Sequence, residues 1–122
     1  MELDREQVLE RFLLYNGEDE ETASPERKAL WEALCEGGAK WAEAQAGPGA
    51  AGWEESLVGL AAAQAFYHLV LADGALLPGS LSTPEVKLDW AAREEKARAL
   101  AQEQQRLCGP VLRDGDFYFG RA

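Results

Sequence analysis

Histidine occurs once in these 122 residues and cysteine twice, and lysine and arginine together number 12 against 22 acidic residues. Each shortage excludes something. His68 is the one imidazole, and no group of His, Cys and Asp has the spacing of metal ligands, so the chain lacks the frame of a zinc site. Asp114-Gly115-Asp116 is too short for a calcium loop, whose ligands spread over about 12 positions. Cys35 and Cys108 lie far apart, outside any Cys-x-x-Cys pair and each within a helical pattern. They read as buried free thiols of a reducing cytosol, not as a disulfide framework. The formal net charge of −10 repels phosphate backbones. The basic residues Arg93, Lys96, Arg98 and Arg106 are interleaved with Glu94, Glu95 and Glu103, so no basic patch emerges and sequence-specific nucleic-acid binding is not expected. The acidic start lacks the basic n-region of a signal peptide, which points to a cytoplasmic origin.

Catalytic signatures are missing as well. Gly47, Gly49 and Gly52 suggest a phosphate loop, but Trp53-Glu54 stand where Lys and Ser or Thr are needed. Carboxylates are plentiful, yet each group falls on a solvated helix face or a loop, and carboxylate catalysis needs a pair converging in a cleft. Eight of them (Glu2, Asp4, Glu6, Glu10, Glu18, Asp19, Glu20 and Glu21) crowd the first 21 residues against Arg5 and Arg11. No enzymatic activity is expected, and no catalytic, cofactor-binding or metal-binding residue is assigned.

What is present is apolar mass. Hydrophobic residues make up 47% of the chain, enough for one core in a single domain spanning 1–122. Residues 56–72 carry no formal charge, although the chain as a whole is 28% charged. A helix apolar on every side is wrapped by other helices, crosses a membrane, or lies between subunits. A span needs about 20 residues and basic flanks. This run is shorter, contains Ser56, Gln64 and His68, and is bounded by Glu54, Glu55 and Asp73. It reads as a central core helix, with no membrane association.

Around it the pattern predicts an all-α bundle of four main helices, at about 4–15, 25–46, 53–72 and 89–107. Asp4 caps the first, Leu3 staples onto Val8, and Asn16-Gly17 stops it. Ser24-Pro25 opens the second, and Gly-Pro-Gly-Ala-Ala-Gly at 47–52 forms a hinge to the third, which stops at Asp73-Gly74. Val86, Leu88 and Trp90 alternate with Lys87 and Asp89, which predicts a short extended segment at 85–88 and a helix capped by Asp89, although Thr83-Pro84-Glu85 also has the form of a direct helix start. Trp31, Trp41, Trp53 and Trp90 read as helix-packing anchors, and His68, four residues after Gln64, as a core or partly exposed side chain. The tail, 111–122, holds Phe117-Tyr118-Phe119, aromatics that dock on this chain's core or on a neighbour.

The order of parts resembles a family. A second helix with Ala-Leu-Trp-Glu-Ala-Leu-Cys-Glu precedes a central helix with Ala-Ala-Ala-Gln-Ala-Phe-Tyr-His-Leu-Val-Leu. A charged helix follows, then the tail Asp-Gly-Asp-Phe-Tyr-Phe-Gly-Arg. This is similar to the small head–tail connector (adaptor or neck) proteins of tailed phages and prophages. The likeness covers nearly the whole chain as architecture, with Ala61–Leu71 and Asp114–Arg121 its most distinctive pieces. It implies a non-catalytic helical subunit that assembles as a homo-oligomeric ring with portal or tail protein, in the host cytoplasm and, from an active prophage, in the virion. Candidate interface residues are Leu76, Leu77, Leu81, Phe117, Tyr118, Phe119 and Arg121. The alternative function is a small acidic helical protein that binds and regulates or inhibits a basic partner.

Overall fold

The computed structural model describes residues 2–75 and 84–112, with side chains over 2–74 and 90–112. Four helices follow one another: α1 (Arg5–Asn16), α2 (Pro25–Gln45), α3 (Glu54–Ala75) and α4 (Pro84–Cys108), closed by a 3-10 turn at Gly109–Val111. The fold is a small all-α bundle, and no strand occurs among the described residues.

Local chemistry sets most boundaries. The Asp4 carboxylate accepts from the backbone N–H groups of Glu6 and Gln7, and Gly17 ends α1 in the left-handed region at φ 73°, its N–H donating to the Leu13 carbonyl. Leu3 and Val8 are both buried, as the staple requires. The Ser24 hydroxyl accepts from the Arg27 N–H, with Pro25 in the first turn of α2.

The third boundary differs from expectation. Helix α3 does not stop at Asp73-Gly74 but continues to Ala75. Gly74 is a contact point and not a stop: a Cβ there would lie 2.2 Å from the Trp90 ring. The indole of Trp90 lies close over this backbone and donates to the Val70 carbonyl at 3.0 Å. The extended segment at 85–88 is also corrected, because those residues form the first turns of α4, which begins at Pro84. Proline lacks an N–H that a first turn would leave unused, and its fixed φ suits a helix start. A helical start there outweighs a short alternation of apolar residues.

Neighbouring helices run antiparallel. Leu3 N–H donates to Glu43 at 2.7 Å, Arg27 reaches Asp73, and the Cys108 thiol donates to the Ser56 carbonyl at 3.4 Å. Helix α3 packs against all three others, whereas no Cα of α4 comes within 8 Å of α1 or α2. Its central position explains its composition. Leu57, Val58, Leu60, Ala61, Ala62 and Ala63 are at most 3% exposed. Gly38 brings α2 into backbone contact with it, since a Cβ there would meet the Ala61 carbonyl oxygen at 2.5 Å. Phe12 and Trp31 complete the core with ring centroids 6.2 Å apart. By length and composition α3 would also suit a membrane span, but 61% of that window is buried inside the bundle.

The hinge at 47–52 is tied down. Gly47 N–H donates to the Val111 carbonyl at 2.7 Å, Ala46 bridges to Leu112, and Ala50 is 2% exposed. The chain's last described residues are thus clamped beside the α2–α3 turn.

Candidate interaction surface

The predicted interface residues Leu76, Leu77, Leu81, Phe117, Tyr118, Phe119 and Arg121 all lie outside the described residues. The structure does place the points from which their segments depart. Ala75 and Pro84 stand at one end of the bundle, with Asp73, Arg27 and the α1–α2 turn. Leu112 stands at the other, beside Ala46.

The first end is held by charge. Arg27 donates to Asp73 at 2.7 and 2.9 Å and to Glu18 at 2.6 and 3.2 Å. Arg93 donates to Asn16 Oδ1 at 2.7 Å and to Asp73 at 3.5 Å, and its guanidinium lies 5.5 Å over the Phe66 ring. One carboxylate therefore joins α2, α3 and α4 through two arginines. Bonding by Asp73 and then Glu18 holds the Arg27 guanidinium firmly protonated. Asp73, read from the sequence as a helix terminator, is the hub of this end.

At the Leu112 end, Arg5 pairs with Glu36 and Glu43, both at 2.6 Å. The Arg5 hydrogen bond, joined by the Leu3 N–H and opposed by burial, holds the Glu43 carboxyl below the usual glutamate range. Beside this pair, a hollow of about 370 Å³ between α1 and α2 is lined by Arg5, Glu6, Leu9, Glu32, Cys35 and Glu36. Its one nucleophile is muted, because burial, helped by Glu32, pushes the Cys35 thiol up to about 12. Burial likewise raises Cys108. Both cysteines are free and buried, as expected. Among the described residues no group of three His, Cys, Asp or Glu could hold a metal ion.

The tryptophans divide. Trp31 is a buried anchor whose Nε1 has no hydrogen-bond partner, Trp90 wedges onto Gly74, Trp41 is half-buried, and Trp53 is 36% exposed. His68 is exposed, with its Nε2 3.3 Å from the Gln64 amide nitrogen.

Composition could not reveal a strip on α3 at Leu57, Leu60, Gln64, Tyr67 and Leu71. These positions follow the i, i+3, i+7, i+10, i+14 spacing of one helical face. Residues 61 and 65 of α3 face α2, and 66, 70 and 74 face α4, so the strip lies in the gap between those two helices. It is sealed at one end and open at the other: Leu57 and Leu60 are fully buried, Gln64 and Tyr67 half-buried, and Leu71 is 39% exposed. Comparison with family models, curated proteins and solved structures gives no match to this chain.

Proposed function

We propose that this chain is a structural assembly subunit of the head–tail connector type, one member of a ring joining a phage or prophage portal to its tail. The observation that carries the reading is the polarity of the bundle. The segment with Leu76, Leu77 and Leu81 departs from the Asp73 end, and the segment with Phe117, Tyr118, Phe119 and Arg121 departs from Leu112 at the other. Two unlike patches on each copy make heterologous contacts, which close into a ring when the rotation between copies divides a full turn. The net charge of −10 suits a passage through which DNA slides without adhering. On this reading the partners are further copies and a portal or tail protein, α3 serves as core and not as a membrane span, and the protein acts in the host cytoplasm and the virion without cofactor or catalytic residue.

Ending the chain at Gly115 tests the assignment. Assembly measured by native mass spectrometry weakens while helix content by circular dichroism is largely kept; outright unfolding would make the tail ordinary core and remove this support. Salt separates the ring from the rival reading, an acidic regulator or inhibitor of a basic partner. Charge-driven binding falls steeply between low and moderate ionic strength, whereas apolar ring contacts persist.

A further inference from the structure

The hollow between α1 and α2 is apolar at its base and acidic at its rim. Leu9, half-buried, and Cys35, 4% exposed, form the base. Glu6 on α1 and Glu32 and Glu36 on α2, all exposed, stand around it. Its volume of about 370 Å³ falls near the small end of ligand-holding clefts, which run from about 300 to 1,000 Å³. A hollow of that size suits the side chains of a short peptide stretch better than a large ligand.

Positive charge is short here. Arg5 is the single cation of the lining, and the fold already takes it up: its guanidinium donates to Glu36, to Glu43 and to the Leu3 carbonyl. Lys28 and Lys40, one turn before Glu32 and one turn after Glu36 on α2, neither line the hollow nor pair with these carboxylates among the described residues. Glu6 and Glu32, one on each wall, thus face the hollow without a cationic partner among the described residues. With Glu36 and Glu43 counted, four carboxylates stand against one guanidinium. They repel one another until a further cation enters.

We propose that this hollow docks a basic segment of a partner protein, one that carries an apolar side chain between two lysines or arginines. Charge complementarity selects that occupant. The apolar side chain covers Leu9 and Cys35, while the flanking cations take Glu6 on one wall and Glu32 on the other. A neutral or acidic segment would leave the carboxylates uncompensated, and a wholly polar basic one would leave the apolar base wet. Each exposed ion pair is weak alone, so the segment has to offer both features together. A second copy of this chain does not supply it. The one such triplet in the sequence, Lys96-Ala97-Arg98, keeps Ala97 fully buried in its own core. The inference goes beyond the ring reading and does not rest on it.

The test titrates three synthetic tripeptides, capped at both ends, into the isotope-labelled full chain and follows its amide signals by NMR. Lys-Leu-Lys is expected to move the amides of Glu6, Leu9, Glu32 and Cys35 saturably and to leave those of α4 in place. Lys-Gly-Lys, which keeps the charge and lacks the apolar side chain, binds at least about tenfold more weakly, and Glu-Leu-Glu does not bind. Glu6→Gln with Glu32→Gln, at exposed sites that leave the fold intact, weakens Lys-Leu-Lys by about threefold to tenfold. Equal binding of Lys-Gly-Lys would reduce the effect to general attraction by an acidic surface. Equal binding of Glu-Leu-Glu would remove the choice by charge. Hollow amides that move with protein concentration alone would give the site to a second copy. Each of these results, an unchanged affinity in the double variant, or no shift at all overturns the proposal. Such a failure leaves the ring reading standing, because that reading is judged on the oligomer formed by the peptide-free chain.

Discussion

The two halves of α3 differ although neither half of its uncharged run carries a charge. From Leu57 to Ala63 every residue is buried, and no face is left for water. From Gln64 onward the helix turns a strip to the surface through Gln64, Tyr67, His68 and Leu71, and its end is clasped by Arg27 and Arg93 on Asp73. The first half is pure core, and its worth is burial. The second is a half-exposed stretch, held by ion pairs and by Trp90 on Gly74. One composition thus serves two tasks, because neighbours decide exposure and the helix does not.

The contrast is broken most sharply by truncating one leucine in each half. Leu60→Ala, in a fully buried site, lowers unfolding free energy by about 2–5 kcal/mol in urea titrations. Leu71→Ala, at 39% exposure, lowers it by less than about 1 kcal/mol. Similar losses at both sites would erase the distinction between halves. Next in size is the pair of adjacent glycines on α2. Gly38→Ala forces a methyl against the Ala61 carbonyl and costs about 1–3 kcal/mol. Gly37→Ala meets nothing within 4 Å and adds about 0.5–1 kcal/mol through helix propensity. A smaller effect follows from pH. The Glu43 carboxyl is depressed in the folded state, so its contribution is present above the ordinary glutamate pKa of about 4.3 and is lost as pH falls through the lower folded value. Glu43→Gln therefore flattens the acid side of the stability profile below about pH 4.3, as thermal melts at stepped pH would record; an unchanged acid slope would mean that the Arg5 pair contributes nothing.

Much of the fold was legible because its signals are local. Asp4, Gly17, Ser24 and Pro25 act on backbone within a turn of themselves, and each does what its residue type dictates. The central place of α3 was legible too, since an uncharged run in a charged chain has to be wrapped. The errors fall where a distant contact decides. Gly74 has the look of a terminator, but its missing Cβ makes room for Trp90, sixteen positions on. The alternation at 85–88 is a true pattern of residues, overridden by Pro84 at a helix start. The α3 strip was illegible because a helix apolar on all sides has no periodicity to expose a face; only the separation of α2 from α4 creates it. The interface residues named from sequence lie outside the described residues, so their places are known only through Ala75, Pro84 and Leu112.

The claim that this bundle is a ring subunit meets its most direct test in sedimentation velocity on the full chain, run over a hundredfold range of concentration at low and at moderate salt. The account predicts one closed oligomer of fixed size that gains mass from the monomer as concentration rises and survives the added salt. A monomer throughout, at both ionic strengths, would contradict it.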